Sequence, residues 1–370
     1  MMSPEPDAAP RVLFVARAFP PLVGGLERQN LELSRALGAL LPMTVFANRG
    51  GKKFLPLFLP LSFFQALRSK ESHDLFLLGD ALLAPLGALL RRFAGKPAVA
   101  VAHGLDVTYG PVCYQKGWLG WSLRNLDAVI AVSRHTGREC LARGVKADRL
   151  FTIPNGVAVP MTPPDSAGAR LGRLVAEKRK GRKILLTVGR LRKRKGVRWF
   201  VEAVMPRLPA DCMYVVAGNG PEREQILAAT QRGGLSSRVN LLGTVSEEEK
   251  AFLFTQAELF IQPNIPVPGD VEGFGIGVLE AAASGLPVVA SDLEGLRDAI
   301  QEGENGLRVP PLNAEQFADR ITGLLRDEAA RRRLGEKARR YTLERYGWDR
   351  VAGHYRDVLC RFAIHPESRR

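Results

Sequence analysis

The sequence predicts an α/β protein of two domains, each a doubly wound parallel sheet, the two facing each other across a cleft. Three observations lead there. A chain of 370 residues is long for one hydrophobic core and comfortable for two domains of ordinary size. Short apolar runs that do not alternate with polar residues, the mark of strands covered on both faces, are separated by stretches with helical spacing. Both halves follow one order, strand to glycine loop to helix, although no internal repeat is visible at the level of residue identity.

In the first half, residues 11–16 (RVLFVA) read as a buried parallel strand and 26–37 as a helix. The FPPLVGG stretch between them puts Gly24 and Gly25 at the helix start, where their amides face an anion or a sugar oxygen, or simply make a tight turn. Strands follow at 75–78, 98–102, 128–132 and 150–153, with a helix at 81–93. The 98–102 strand runs into His103-Gly104-Leu105-Asp106, and the carboxyl ends of parallel strands are where open α/β sheets bind ligands. A Pro154-Asn155-Gly156 turn and an aperiodic Pro-, Gly- and Arg-rich stretch set a first domain at 1–160 and a linker at 161–182. The second domain, 183–347, opens on the strand 183–188 (KILLTV). Further strands lie at 213–217, 239–242, 259–262, 287–291 and within 303–310, with helices at 247–256, 314–326 and 329–346. A last helix occupies 349–362, within a terminal segment of 348–370.

Composition excludes several classes. A net charge of +15 asks for an anionic partner, which is nucleic acid, a phosphorylated small molecule or an anionic membrane. With aromatics at 7% and no helix-turn-helix, zinc-finger or RNP-like string, no nucleic acid is expected. Cys113, Cys140, Cys212 and Cys360 are scattered without metal-ligand spacing and read as reduced core thiols, and the five histidines show no HExxH pair, so no metal is expected. No secretory leader and no membrane-spanning helix is expected; the longest apolar region, 75–90, is broken by Asp80 and Pro85. Residues 54–64 (FLPLFLPLSFF), flanked by Lys52, Lys53, Arg68 and Lys70, have the composition of a segment that dips into an anionic bilayer face, or of a helix packed on the first core.

The stretch that organises the chain is 270–287, set between the apolar runs 259–262 and 287–290. Gly273, Gly275 and Gly277 let the backbone approach a ligand, and a helix beginning near Gly275 aims unpaired amides and its positive dipole end at whatever precedes it, a place for phosphate. Glu272 and Glu280 bracket this loop, about 12 Å apart along a helix. Carboxylates there suit hydroxyl pairs and repel phosphate, so one end would hold a sugar ring and the other a ribose. Upstream, Arg190, Arg192, Lys193, Arg194, Lys195 and Arg198 crowd one loop; most read as a solvated charge run, yet a departing diphosphate needs a fixed positive charge. The Gly218-Asn219-Gly220-Pro221 turn lacks the third glycine of a dinucleotide fingerprint.

Glu272 to Glu280 matches the E-x7-E signature of retaining glycosyltransferases of family GT4, and VEGFGIGVLEAAASGLPVVAS resembles that family throughout, most of all its phosphatidylinositol mannosyltransferase-like members. The resemblance implies a GT-B fold of two Rossmann-like domains and transfer of a hexose, with retention, from a nucleotide diphosphate sugar that serves as co-substrate, with no cofactor. It implies GDP-mannose first and a UDP-hexose second as donor. The G-R-L-x-x-x-K-G motif makes Arg190 and Lys195 the clamps on the leaving diphosphate and leaves Arg192, Lys193 and Arg194 at the surface. Glu272 then grips the sugar hydroxyls and Glu280 the ribose, and the amides of Phe274, Gly275 and Ile276 take the sugar and phosphates. Gly24 and Gly25 face the donor, and Asn219, Gly220, Leu242 and Gly243 lie near the nucleoside. His103, from the HG-x-[DE] motif, stands beside the reacting sugar, with Asp80 and Asp106 on the acceptor side; Asp106 replaces the usual Glu. PNGV at 154–157 closes the first domain, and the last helix crosses back onto it. Together with the basic charge and the 54–64 segment, the resemblance points to a lipid-linked or cell-envelope glycan acceptor, reached by a cytoplasmic enzyme peripheral at the inner face of the membrane. Two other classes compete: an NAD(P)-dependent oxidoreductase, and an inactive scaffold of this fold that binds anionic membranes.

Overall fold

A computed structural model of the chain describes residues 9–364, apart from 23, 109, 111–113, 165–171 and 173–180. The expected linker, 161–182, falls largely outside the described residues, as does Cys113. The chain divides into two compact units, one formed by Met1–Gly156 with Tyr346–Arg370 and the other by Val157–Arg345.

In the first unit, six strands form one parallel sheet: β1 (Val12–Ala16), β2 (Met43–Ala47), β3 (Leu75–Leu78), β4 (Ala98–Ala102), β5 (Ala128–Ala131) and β6 (Leu150–Thr152), in the order β2-β1-β3-β4-β5-β6. Every residue of β1, β3, β4 and β5 is buried, as unbroken apolar runs sandwiched between helices should be. Strand β2 has no counterpart among the strands expected from sequence. It is an edge strand, half exposed, and its MTVFA composition lacks a continuous apolar signal. The chain runs from β1 outward to β2 and then crosses to β3 on the other side, so the strand order reverses between β1 and β3. Such a reversal opens a crevice at the carboxyl ends of the two strands.

Residues 54–64 are mostly helix, Leu55–Arg68, with Pro56 tolerated in the first turn and Pro60 inside. Phe58, which a membrane-dipping segment would insert and a packed helix would bury, is a core residue, 7% exposed and stacked on Phe46 at 5.5 Å. Phe63 is half-buried and meets Phe93 edge-on. The outward apolar side chains are Phe54, Leu57, Leu59, Leu61 and Phe64. The final helix, Trp348–Ile364, packs on the helix Gly25–Gly38, and Phe362 meets Phe151 edge-on at 5.8 Å.

In the second unit, β7 (Lys183–Val188), β8 (Cys212–Ala217), β9 (Val239–Gly243), β10 (Leu259–Gln262), β11 (Val288–Ser291) and β12 (Leu307–Val309) are again all parallel, ordered β12-β11-β10-β7-β8-β9. The aromatic heart of this core is Phe200, Tyr214 and Phe317, each fully buried, with the Phe200 and Tyr214 rings 4.7 Å apart. Here the order reverses between β7 and β10. The loops that leave those two strands carry the cation run and the Glu272 loop. Cys140 and Cys212 are buried free thiols, and burial pushes them up to about 12 and about 11. Among the described residues no helix is long and apolar enough to cross a membrane.

Candidate functional site

The switch point of the second unit brings together residues far apart in sequence. After β7 the chain makes a tight turn, Lys193–Lys195, closed by Gly196 in the left-handed region at φ 65. A Cβ on Gly196 would lie 1.9 Å from the Pro263 carbonyl oxygen, so only glycine lets this turn press against the segment leaving β10. The Ile265 amide donates to the Arg194 carbonyl at 2.9 Å and seals the contact.

The result is a compact ionic cluster. Lys195 Nζ lies 2.6 Å from Glu272 Oε2, and Asn264 Nδ2 donates to the same oxygen at 3.1 Å. Arg194 Nε is 3.5 Å from that oxygen, while Arg194 Nη1 pairs with Asp270 Oδ1 at 2.8 Å. Asn264 is itself held by Gln262 Nε2 at 2.5 Å. Burial alone would raise the Glu272 carboxyl, but the charges of Lys195 and Arg194 and the bonds from Lys195 and Asn264 bring it down to about 2. Its backbone N–H donates to the Glu294 carboxylate at 2.5 Å. Burial raises the Glu294 carboxyl, the Glu272 amide lowers it and the Glu272 charge raises it again; its backbone sits at φ 47, uncommon for a residue with a side chain. Arg194, expected at the surface, is therefore a half-buried member of the cluster: the turn points it inward, and Asp270 supplies the counter-charge that removal from water requires.

Gly275, at φ 91, precedes the helix Ile276–Ala283, whose first amides have no intrahelical acceptor. Phe274 is buried, and Gly275 and Ile276 lead into the helix, so the three backbone positions expected to take phosphate and sugar are contiguous at its start. Glu280 lies within that helix and is engaged by Lys250 Nζ at 2.8 Å, so it is not a solvated position. Arg190 is exposed and makes no ion pair with any described residue. Asn219 is exposed, with its Oδ1 on the Gly220 amide at 2.8 Å. Half-buried Leu242 and Gly243 end β9, and the Gly218 amide donates to the Gly243 carbonyl at 2.7 Å.

The first unit carries a second cluster at its own switch point. Asp80, fully buried after β3, accepts from Arg17 Nε at 2.8 Å and from the Leu82 amide at 3.0 Å, and its Oδ2 has no partner among the described residues. Asp106 accepts from the Ala81 amide at 2.8 Å and the His103 amide at 2.9 Å. Burial raises the Asp106 carboxyl, a rise that the His103 charge opposes and the Asp80 charge supports. Asp80 Oδ1 and both Asp106 oxygens are thus spent on backbone amides and on Arg17, and orient the loops around His103. The His103 Nε2 lies 3.1 Å from the Gly79 carbonyl, an acceptor only, which keeps a proton on that nitrogen. Gly24 and Gly25 are exposed at the start of Gly25–Gly38, where the Glu27 carboxylate folds back so far that a Cβ on Gly24 would meet Glu27 Oε2 at 2.3 Å. A carboxylate in that place suits a hydroxyl better than a phosphate.

Sequence reasoning missed Arg194, Asp270, Asn264, Glu294, Lys250 and Arg17. Asp270 opens the organising stretch and could have been weighed there; the others carry no local signal. Among the described residues, no group of three or more His, Cys, Asp or Glu side chains could hold a metal ion.

Residues 173–341 match the family described as Glycosyl transferases group 1, and residues 23–159 match Glycosyltransferase Family 4. A GDP-mannose-dependent alpha-(1-6)-phosphatidylinositol monomannoside mannosyltransferase of Mycobacterium tuberculosis is 28% identical over 94% of this chain and 98% of its own length. An alpha-D-kanosaminyltransferase of Streptomyces kanamyceticus is 34% identical over 48% of this chain, a match that spans only 46% of that relative. A solved sucrose-phosphate synthase from Thermosynechococcus elongatus superposes with a TM-score of 0.77 at 25% identity, covering 96% of this chain and 100% of that one.

Proposed function

Because the chain belongs to the group 1 and family 4 glycosyltransferases, we propose that it transfers a hexose from a nucleotide diphosphate sugar, with retention of anomeric configuration, to a lipid-linked or cell-envelope glycan acceptor. The observation that carries this reading is the Lys195–Glu272 pair, 2.6 Å apart beside a helix start at the switch point of the second unit. An ammonium, a carboxylate and the amides of a helix start are what a diphosphate sugar needs: charge for the pyrophosphate and an acceptor for vicinal hydroxyls.

In this reading Lys195 and the amides at Gly275 and Ile276 stabilise the negative charge that grows on the leaving diphosphate. Arg190 reaches the same phosphates from its exposed position. Glu272 accepts from the sugar hydroxyls, and Glu280 accepts from the ribose once Lys250 shares it. His103, with its Nε2 proton committed to Gly79, offers Nδ1 to the sugar. The acceptor oxygen attacks on the face the leaving group departs from and passes its proton to the leaving phosphate. Similarity to a GDP-mannose-dependent relative favours mannose as the transferred sugar, with a UDP-hexose as the second choice.

The exposed side chains Phe54, Leu57, Leu61 and Phe64, close in sequence to Lys52, Lys53, Arg68 and Lys70, support docking on an anionic bilayer at the cytoplasmic face, where a lipid-linked acceptor is presented. Thermal shift with GDP-, UDP- and ADP-sugars against NAD(H) tests the donor class. A true donor at 100 times its dissociation constant adds about 2.7 kcal/mol; a response to NAD(H) alone overturns the reading.

A further inference from the structure

Lys195 and Glu272 neutralise each other, yet the proposed reaction asks each to serve a different part of the donor. At 2.6 Å from Glu272 Oε2, the Lys195 ammonium cannot also stand in direct contact with a diphosphate without loosening that bond. If it simply left, Glu272 would remain a carboxylate that is 8% exposed and has lost its nearest cation, a costly state for a buried charge. The cluster contains the remedy. Arg194 Nε already lies 3.5 Å from the same Oε2 and has no hydrogen-bond partner among the described residues, on a side chain only 15% exposed. Its other face is fixed by Asp270 at 2.8 Å, so the guanidinium is held in place and needs only a small approach to complete a bond.

We propose that Arg194 is a positioning residue for Glu272: when Lys195 turns to the donor diphosphate, the Arg194 Nε–H closes on Glu272 Oε2 and keeps that carboxylate ionised and aimed at the sugar. Asp270 anchors the guanidinium through the exchange. Donor binding is then a swap of counter-ions in which Lys195 exchanges a carboxylate for a phosphate and Glu272 exchanges an ammonium for a guanidinium. No net charge is stranded, and the two neighbouring cations of the 193–195 turn have separate tasks. The inference rests on the nucleotide-sugar reading above.

The swap predicts an order of affinities for the free nucleoside diphosphates GDP and UDP, measured calorimetrically on the full chain. Arg194→Gln binds the better of the two at least ten-fold more weakly than wild type, because Glu272 then retains Lys195. Glu272→Gln releases Lys195 and binds it more tightly than wild type. The double variant Arg194→Gln/Glu272→Gln returns to the affinity of Glu272→Gln, since no carboxylate is left to compete. Arg194→Lys, which keeps the charge and loses the fork, falls between Arg194→Gln and wild type and serves if Arg194→Gln does not fold. Wild-type affinity in both Arg194 variants, or a double variant as weak as Arg194→Gln, overturns the proposal. Failure of the wild-type chain to bind GDP, UDP or ADP at millimolar concentration instead overturns the nucleotide-sugar reading itself.

Discussion

Protonation of Glu272 should be visible as acid lability of the second unit. Its carboxyl is lowered from 4.5 to about 2, and at ~1.4 kcal/mol per pH unit this difference is about 3 kcal/mol. The folded carboxylate keeps its charge to near pH 2, whereas the unfolded chain takes up the proton near 4.5. The stabilisation is therefore complete above the unfolded value and disappears as pH falls through the folded one, with about 2 kcal/mol gone by pH 3. The perturbation is Glu272→Gln, which removes the titration. It also leaves Lys195 and Arg194 short of an anion, so the variant starts about 3 kcal/mol less stable at pH 6. Trp199 is the sole tryptophan within Val157–Arg345, so in a background where Trp118, Trp121 and Trp348 are phenylalanine its fluorescence reports urea unfolding of this unit alone. Between pH 6 and pH 3 the parent should lose about 2 kcal/mol more than the variant. Equal losses would show that Glu272 titrates as an ordinary carboxyl and that the ion cluster does not hold it.

Three further outcomes follow from the same geometry. Lys195→Ala and Arg190→Ala should each lower turnover by about 100-fold, as loss of a charge stabiliser usually does; near-wild-type rates would remove the residue concerned from the reaction. In Gly295→Ala the new Cβ would sit 2.0 Å from the Gly273 carbonyl oxygen, a backbone clash that must displace the Glu272 loop. The donor KM should rise at least ~10-fold with ~1–3 kcal/mol of stability lost, and unaltered kinetics would mean that the loop does not position the donor. Phe64→Asp, at a side chain 61% exposed, should reduce sedimentation with anionic liposomes and leave the melting temperature unchanged, whereas Phe58→Asp places a charge in the core and should unfold the first unit. Undiminished sedimentation of Phe64→Asp would rule out the membrane face.

What was legible in the sequence is what short-range physics determines. The helix Glu247–Gln256 lies where its periodicity puts it because Ser246 and Glu249 form a reciprocal capping box, and Ala314–Arg326 because Asn313 caps it; both starts are written in adjacent residues. The E-x7-E spacing and the glycines around it belong to this class, since loop and helix start are neighbours in the chain. Arg194 does not. Within RKRK each cation has the same local surroundings, and the choice of which turns inward is made by Asp270, 76 residues away, once β7 and β10 lie side by side. Lys250 reaches Glu280 across 30 residues for the same reason, and Arg17 reaches Asp80 across 63. In each case a charge shielded from water is tolerable only because a partner arrives from another element of the fold, a strand end for Arg17 and Asp270's loop, a helix for Lys250. The residues that sequence reading could identify one by one are therefore those proposed to touch the donor, and those it could not are the counter-ions that hold them.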